Sequence, residues 1–546
     1  MMIVWQERAR YFVSVHNLLK GEFAMKPTRS PIRSAGLLGT LSGTLLLAAC
    51  SGSAPGESEA ASGTKDLRIL LSHTNAKYAM QYKDDNDRYT KELSRLSGFN
   101  LHYDFLGHGQ DFIQQLTLRF ASNDLGDLVR TDTITSSIHP GALEQGVFQE
   151  LGPLLDKYGP DIKKKIPQAA WDSPRVSKDG KIYGIPVLNP VPAYRVVYIR
   201  QDWLDKLNMQ QPKTVDDYLK FFEAVKANDM NGNGDPNDEY GFYVRENLDY
   251  SDLFFKEFGA HPKEWLYRDG KLQPGLIQPE IKESLRFWKM LYDKGYVNPN
   301  MFTNKSSDWR AGIKQGKGGM WLHDVPNYNV DWQPSLFVNE KNVKISMLEA
   351  PDGPKGKGIT AENDQINYVW VIPSSNKHPE TAIQYLNWAW SSEEADRFFA
   401  YGIEGVNYTV DNGKVNFDAA SKDNTENDPT EFFRITANPR KIGSLDPLVL
   451  DVDPNADLLR QGLEAAKRSI YKNEALYMPS LEAMNTNPQL GAGAGTLFLD
   501  MFAKVVTGKA DIDKAFDDFV KEWKARGGEA AIQEATSWYK ATHPSK

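Results

Sequence analysis

The sequence contains almost nothing that could cross-link it, because Cys50 is the one cysteine among 546 residues. A single thiol excludes an internal disulfide, and it excludes a zinc site built from cysteines. The nine histidines are scattered without the spacing of metal ligands. Stability must therefore come from a large hydrophobic core, which a chain of this length can bury.

Long hydrophobic runs and basic clusters are also missing. The uncharged segment at residues 35–49 is shorter than the about 20 apolar residues that a bilayer-spanning helix needs, and no later segment reaches that length. The net charge is −8, and no basic block follows the N-terminal region. This charge balance argues against nucleic acid as a partner.

Catalytic signatures are missing as well. The sequence has no His-Glu-x-x-His, no Gly-x-Ser-x-Gly and no phosphate-binding Walker A loop. The sequence therefore favours a protein that is not an enzyme. Acidic residues are numerous, so a glycosidase-type pair of carboxylates is left open.

The first 50 residues have the layout of a secretory signal peptide. Three basic residues (Lys26, Arg29 and Arg33) precede the uncharged segment, which ends in small residues before Cys50. The string LAAC at 47–50 resembles a bacterial lipobox, in which the cysteine thiol receives diacylglycerol. A two-chain anchor holds a protein to a membrane surface without spanning it. We expect Cys50 to carry the lipid; the alternative is a chance cysteine after an ordinary signal peptide.

Two neighbouring segments extend this interpretation. Residues 1–24 carry Glu7 and Glu22, which do not suit a signal peptide, so we expect translation to start at Met25. Residues 51–65 are small and polar and predict a flexible tether between the lipid and the folded part. The folded part is expected outside the cytoplasm, lipid-anchored to the cell membrane.

Strand and helix patterns alternate after the tether. Residues 66–72, 100–105 and 127–130 read as strands, and residues 84–96 and 112–121 between them read as helices. This alternation is typical of a parallel α/β sheet. Thr214 is placed to cap a helix that runs to residue 228, since apolar residues recur there at helical spacing.

Residues 229–239 (DMNGNGDPNDE) form the sharpest local motif. Oxygen-bearing side chains stand at positions 1, 3 and 5 and glycine at position 6, as in the first half of an EF-hand loop. The last acid is at position 11 rather than 12, and a strand pattern follows instead of a helix, so a plain Asn-Gly turn is the alternative. We expect a structural calcium ion, with Asp229, Asn231, Asn233, Asp235, Asp238 and Glu239 as its candidate ligands.

Several segments, taken in order behind the lipobox, resemble a known family. These are GKIYGIP at 180–186, YIRQDWL at 198–204, QPKT at 211–214, GKGGMW at 316–321, VWVI at 369–372, HPETAIQYL at 378–386 and YGIEGVNY at 401–408. The chain is similar to the extracellular solute-binding proteins of bacterial ABC sugar importers. It resembles most the large lipoprotein branch that includes alginate-binding and Lpl-type lipoproteins.

The resemblance implies an α/β, two-lobed periplasmic-binding-protein-like fold (type II), with a mixed sheet flanked by helices in each lobe. Residues 66–190 plus 367–415 would form the N-terminal lobe, and residues 194–360 plus 430–546 the C-terminal lobe. The chain would cross between lobes near residues 190–192 and 354–367, with a last return near 415–440. Proline and glycine in the first two segments suit hinge connections.

Ligand would lie near strand ends and crossing loops, as in open α/β folds generally. Aromatic rings can stack on the flat apolar faces of sugars, and polar side chains can pair with hydroxyls, although each aromatic could equally belong to the core. On this basis the predicted sugar-binding residues are Asp132, Asn189, Tyr194, Trp321, Trp370 and Glu404.

The function implied is capture of an oligosaccharide between the lobes and its delivery to ABC transporter permease subunits that work with a cytoplasmic ATPase. The protein would act as a monomer and meet the membrane through its lipid alone. Two alternatives remain: an exported, lipid-anchored enzyme that degrades polysaccharide, and a surface sugar sensor without transport.

We predict that Cys50→Ser releases the protein from membranes or blocks its processing, because the serine cannot form the thioether to diacylglycerol. Fractionation of cells that express either form measures this. Normal signal cleavage with unchanged membrane partitioning of the variant would refute the lipobox interpretation.

Overall fold

The computed structural model describes residues 65–73, 77–83, 86–189, 191–338, 340, 342–418, 421–427 and 447–543. Cys50 and most of the predicted tether lie outside these ranges, as does most of the predicted last crossing near 415–440. Within the described ranges, no helix combines the length and apolar character needed to cross a bilayer.

The strands are numbered in chain order. They are β1 (Asp66–Ser72), β2 (Asn100–Leu106), β3 (Leu128–Thr131), β4 (Ser177–Lys178), β5 (Lys181–Ile182), β6 (Gly184–Leu188), β7 (Arg195–Arg200), β8 (Tyr240–Phe242), β9 (Trp265–Arg268), β10 (Lys271–Pro274), β11 (Gly318–Asp324), β12 (Ile345–Leu348), β13 (Thr360–Ala361), β14 (Ile366–Val371), β15 (Tyr408–Asp411), β16 (Lys414–Phe417) and β17 (Ile470–Tyr471).

Helices cover the two largest sheets of the fold, and they make up most of the C-terminal third of the chain. The α-helices span Lys77–Gln81, Arg88–Ser97, Gln110–Ser122, Gly152–Tyr158, Pro160–Lys165, Gln168–Trp171, Gln201–Lys206, Val215–Lys226, Ile281–Asp293, Ser306–Lys314, Pro379–Ser391, Glu393–Tyr401, Lys422–Asn427, Pro447–Val452, Ala456–Arg468, Glu482–Thr486, Leu497–Val506, Ile512–Trp523 and Glu529–Thr542.

The N-terminal lobe is built on a five-stranded sheet of order β2-β1-β3-β14-β6. Strand β1 pairs parallel with β2 and β3, as the strand–helix alternation predicts. Strand β14 arrives from far along the chain and pairs antiparallel with β3 and β6, which makes the sheet mixed. Successive residues of β1 are buried on both faces, because helices cover the two sides of the sheet.

The C-terminal lobe is built on a four-stranded sheet of order β12-β7-β11-β8. Strand β7 lies antiparallel to both β11 and β12. The helix Val215–Lys226 packs against β8, and it begins with the predicted cap: the Thr214 hydroxyl accepts a hydrogen bond from the backbone N–H of Asp217. The side chain of Asp217 accepts in return from the backbone N–H of Thr214, which completes a capping box.

Two of the segments that carry the chain between the sheets lie next to each other in the described part of the chain. The first lies between β6 and β7, and the second between β12 and β14. They are joined to each other, because the backbone N–H of Asn189 donates to the carbonyl of Gln365 at 2.8 Å. This bond continues the pairing of β6 with β14 up to the point where both chains leave the N-terminal sheet.

The structure corrects the prediction for Trp321 and Trp370. Both side chains are 0% exposed: Trp370 lies in the core of the N-terminal lobe, and Trp321 in a core of the C-terminal lobe. The Trp321 ring stacks on Tyr198 with 5.7 Å between centroids and 5° between planes, and lies 5.1 Å from the Trp332 ring. A side chain enclosed in this way has no face left for a sugar.

We predict that Trp321→Ala lowers the free energy of unfolding by about 3–5 kcal/mol, because it leaves a cavity among packed rings. Trp321→Phe keeps part of the stacking and should cost less. Chemical denaturation of the three proteins measures both effects. A loss below about 1 kcal/mol for the alanine variant would contradict the core assignment.

Candidate functional site

A large cavity lies where the two lobes face each other, and it has a volume of about 1560 Å³. Residues 132–144 and 174–175 of the N-terminal lobe form one wall. Residues 472–485 and 538–543 of the C-terminal lobe contribute to the other. We call this the outer cavity. Its volume exceeds the roughly 300–1,000 Å³ of pockets for single small molecules, which suits an extended ligand.

A smaller inner cavity of about 370 Å³ lies against the crossing segments. It is lined by Asn189 and by residues 192–195 of the first crossing, and by residues 359–363 of the second. Tyr471 lines the inner cavity and Lys472 lines the outer cavity. Adjacent residues of the chain therefore belong to the linings of the two cavities.

Charged side chains meet in the inner cavity. Arg195 donates from Nε to Asp324 Oδ1 at 3.3 Å, and its guanidinium lies 4.0 Å from Asp252 Oδ1. Lys263 Nζ is 2.7 Å from Asp252 Oδ2, and the Tyr250 hydroxyl donates to Asp324 Oδ2 at 3.0 Å. The Arg195 guanidinium also lies 4.3 Å from the centre of the Tyr250 ring. These contacts give the inner cavity a pre-set array of donors and acceptors.

The charges of this array are held ionised. Burial acts to raise the pKa of Asp252, but the cations Lys263 and Arg195 outweigh it and leave that pKa below its usual value. Burial likewise acts to lower the pKa of Arg195, and the carboxylates of Asp252 and Asp324 outweigh it. The carboxylate of Asp252 therefore stays an acceptor for a bound ligand at neutral pH.

A single arginine connects the wall of the outer cavity to the second crossing segment. Arg175 donates from one terminal nitrogen to the carbonyl of Asp132 at 2.7 Å. From the other it donates to the carbonyl of Ile366 at 2.6 Å and to the carboxylate of Asp364 at 3.2 Å. These bonds fix the Asp132 loop, at the end of β3, to the point where β14 begins.

Aromatic rings line the outer cavity on the C-terminal side. Tyr477 is 37% exposed and Trp538 is half-buried. Tyr477 has a positive φ of 70°, uncommon for a non-glycine residue. In the inner cavity, Tyr471 donates its hydroxyl to Glu264. Of these three rings, Tyr477 presents an exposed apolar face beside polar groups of the outer cavity.

The structure brings three of the six predicted sugar-binding residues to the cleft. Asp132 lines the outer cavity, and Asn189 and Tyr194 line the inner one. Trp321 and Trp370 are in the cores. Glu404 is exposed in a turn after the helix Glu393–Tyr401, and it lines neither cavity.

Most of the residues that line the cavities belong to no motif in the sequence. Asp324 could have been found, because it follows polar His323 closely after Trp321. Asp252, Lys263, Tyr471 and Tyr477 stand in loops without a motif, and only the fold brings them together.

The predicted calcium loop is folded as a series of tight turns. The carboxylate of Asp229 accepts from the N–H groups of Gly232 at 2.7 Å and Gly234 at 2.9 Å, and both glycines have the positive φ that these turns require. The amide oxygen of Asn231 accepts from the N–H of Asn233, and that of Asn233 from the N–H of Asp235. Side-chain oxygens thus point into the loop at positions 1, 3 and 5.

Glu239 closes the loop from inside the protein. Its Oε1 accepts from the N–H groups of Met230 at 2.9 Å and Asn231 at 3.0 Å, while its Oε2 is buried without a hydrogen-bond partner in the described part of the chain. Burial, helped by the charges of Asp238 and Asp229, raises the pKa of Glu239 to about 7. A buried carboxylate oxygen without a hydrogen-bond partner fits a site for a hard cation.

The loop differs from a fully acidic metal site. Among the described residues, no three His, Cys, Asp or Glu side chains converge as metal ligands. Ligation of calcium in this loop would therefore need amide oxygens of Asn231 and Asn233 as well as carboxylates. Such oxygens are ordinary calcium ligands.

Comparison with known families gives one match that covers more than half of the chain. Bacterial extracellular solute-binding proteins match residues 100–396. Among individual proteins, the polygalacturonan/rhamnogalacturonan-binding protein YtcQ of Bacillus subtilis is 26% identical, over 91% of this chain and 96% of its own. The lipoprotein LipO of the same species is 24% identical, over 91% and 97%.

Solved structures confirm the predicted fold class. The substrate-binding protein FusA of Streptococcus pneumoniae, solved with kestose, superposes with a TM-score of 0.61 at 21% identity. The match covers 88% of this chain and all of FusA. FusA has also been solved as an EF-hand mutant, with a TM-score of 0.60 at 20% identity.

Proposed function

The chain belongs to the family of bacterial extracellular solute-binding proteins, and we propose that it captures an oligosaccharide between its two lobes and delivers it to an ABC transporter permease. In this proposal it acts as a monomer, tethered to the outer face of the cell membrane through a lipid on Cys50. The lipoprotein relative LipO supports the anchor, and FusA, a fructooligosaccharide ABC transporter substrate-binding protein by name, supports the transport role.

One observation carries the proposal: both lobes line the outer cavity, and the crossing segments line the inner one. A ligand that contacts both walls favours the closed arrangement of the lobes over the open one. Closure then follows from hinge motion about the two crossings. The exposed ring of Tyr477 supplies apolar area for a sugar face, and the array around Arg195 supplies hydrogen-bond partners for hydroxyls.

We further propose that the loop 229–239 binds a structural calcium ion. Asp229, Asn231, Asn233, Asp235, Asp238 and Glu239 would hold it, and the ion would give the buried Oε2 of Glu239 a partner. The EF-hand of FusA supports this assignment. Bound calcium would stabilise the junction between the helix Val215–Lys226 and strand β8.

We predict that a chelator lowers the melting temperature, because an ion that binds the folded state alone adds about 2.7 kcal/mol of stability at 100 times its Kd. Asp229→Ala and Glu239→Gln should each abolish the difference between calcium and chelator. Asp216→Ala, at an exposed position on the neighbouring helix, should keep it. Identical melting curves of the wild type with and without chelator would favour a plain turn.

We predict that Tyr477→Ala weakens oligosaccharide binding by about 10-fold or more, because stacked aromatic contacts of this kind contribute on the order of 1 kcal/mol beyond the area they bury. Its stability should change little, since the side chain is exposed. Leu118→Ala, on an exposed helix face away from both cavities, is the control and should bind as the wild type does. Calorimetric titration measures the affinities.

Two further readouts separate the proposal from its alternatives. Small-angle scattering should show a smaller radius of gyration with the bound sugar, as hinge closure requires. The sugar should be recovered intact after prolonged incubation. Shorter fragments would show an enzyme instead, and binding without compaction would contradict closure between the lobes.

A further inference from the structure

The charges that line the cleft are mainly negative. Six carboxylates and four cations line the two cavities: Asp132, Glu144 and Glu474 with Arg175 and Lys472 in the outer one, and Asp252, Glu264 and Asp324 with Arg195 and Lys263 in the inner one. Each cavity therefore has one more carboxylate than it has cations. Two of these carboxylates are paired with lysines outside the two lining sets, Glu144 with Lys178 and Glu264 with Lys256, at 2.7 Å each. A ligand that carries carboxylates would therefore meet a lining in which most charges are already paired.

The cations that could attract such a ligand are already paired. Arg195 lies between Asp324 at 3.3 Å and Asp252 at 4.0 Å, and Lys263 is 2.7 Å from Asp252. In the outer cavity, Arg175 is paired with Asp364 at 3.2 Å. Within the described residues, Lys472 is the one lining cation without a carboxylate in ion-pair range, and it is exposed to solvent.

The inner cavity offers an unused acceptor. Oδ1 of Asp252 is buried and accepts no hydrogen bond within the described part of the chain, while Oδ2 is taken by Lys263. The Asp252 side chain is 14% exposed and lines the inner cavity. A sugar hydroxyl is a donor that can satisfy this oxygen, whereas an ionised carboxylate on a ligand can only accept. A buried acceptor without a hydrogen bond costs free energy, so a ligand hydroxyl that donates to Oδ1 of Asp252 would be favoured.

We propose that this cleft is selective for neutral oligosaccharides and discriminates against chains of uronic acids, with a terminal neutral ring seated in the inner cavity and donating hydroxyls to Asp252 and Asp324. This inference rests on the proposed function, since it names the class of ligand for the same cleft. Specificity arises by exclusion as well as attraction: like charges in a desolvated interface are disfavoured, and the fixed pairs leave no free guanidinium for a second carboxylate.

The test is a calorimetric panel with the calcium-loaded, full-length mature protein. The neutral arm contains fructo-, galacto-, arabino- and manno-oligosaccharides of three to five rings. The acidic arm contains oligogalacturonates and oligoalginates of the same lengths. We expect at least one neutral oligosaccharide to bind about 100-fold or more tightly than every acidic one, with an affinity that does not change between low and moderate salt.

Charge-removing variants test the residues. Asp252→Asn and Asp324→Asn should each lower the affinity for the tightest neutral oligosaccharide by about 10-fold or more. Each should also reduce the ratio of that affinity to the affinities for the acidic oligosaccharides. Asp216→Asn removes an exposed carboxylate that lines neither cavity, and binding of both the neutral and the acidic oligosaccharides should stay as in the wild type. Melting temperatures of all three variants show whether a loss of affinity comes from unfolding.

The outcomes separate this inference from the function on which it rests. An acidic oligosaccharide that binds more tightly than every neutral one, and that weakens as salt rises, would overturn the selectivity and leave the binding function standing. A panel in which no oligosaccharide of either kind binds would contradict the oligosaccharide-binding function itself. Unchanged selectivity in both aspartate variants would refute the assigned subsite.

Discussion

The bond between the two crossing segments is the constraint on which the rest of the structure depends. Where the backbone N–H of Asn189 meets the carbonyl of Gln365 at 2.8 Å, the chain that leaves the N-terminal sheet is attached to the chain that returns to it. Gln365 has a positive φ of 58°, and the side chain of Asn363 accepts from its N–H at 2.8 Å, which holds the turn in that shape. These two connections between the lobes therefore lie at one place, and the inner cavity lies beside it. In the proposed closure, a hinge located here would let the lobes move without disturbing either core.

The two cores and the cleft divide the side chains by chemistry. Tryptophans such as Trp321, Trp332 and Trp370 are fully enclosed and give each lobe its rigidity. The cleft instead receives charged groups and the more exposed tyrosines at strand ends and loops. Arg175 connects the cleft to the N-terminal sheet, because its guanidinium donates both to the Asp132 loop and to the start of β14. Because the lobes are rigid, a ligand in the cleft would contact polar groups whose positions are already fixed.

Local features of the fold could be predicted from the sequence where one residue type has one structural role. Strand β1 has the predicted bounds, and Thr214 caps its helix as expected. The family resemblance supplied the two-lobed fold, which single-element patterns could not. Trp321 and Trp370 were misplaced for a physical reason: strands covered on both faces bury every residue, so a ring in an apolar strand goes to the core whatever it could bind. Tyr477 and Asp252 line the cavities only because the fold brings together segments that are far apart in the chain.

Hydrogen–deuterium exchange with and without a saturating oligosaccharide tests the central claim most directly, because it reports on both walls of the cleft at once. The account predicts slower exchange in the N-terminal segment 131–144 and in the C-terminal segment 471–480 together, with the crossing segment 359–366 protected beside them. Protection confined to one lobe, or located away from all three segments, would contradict a ligand held between the lobes.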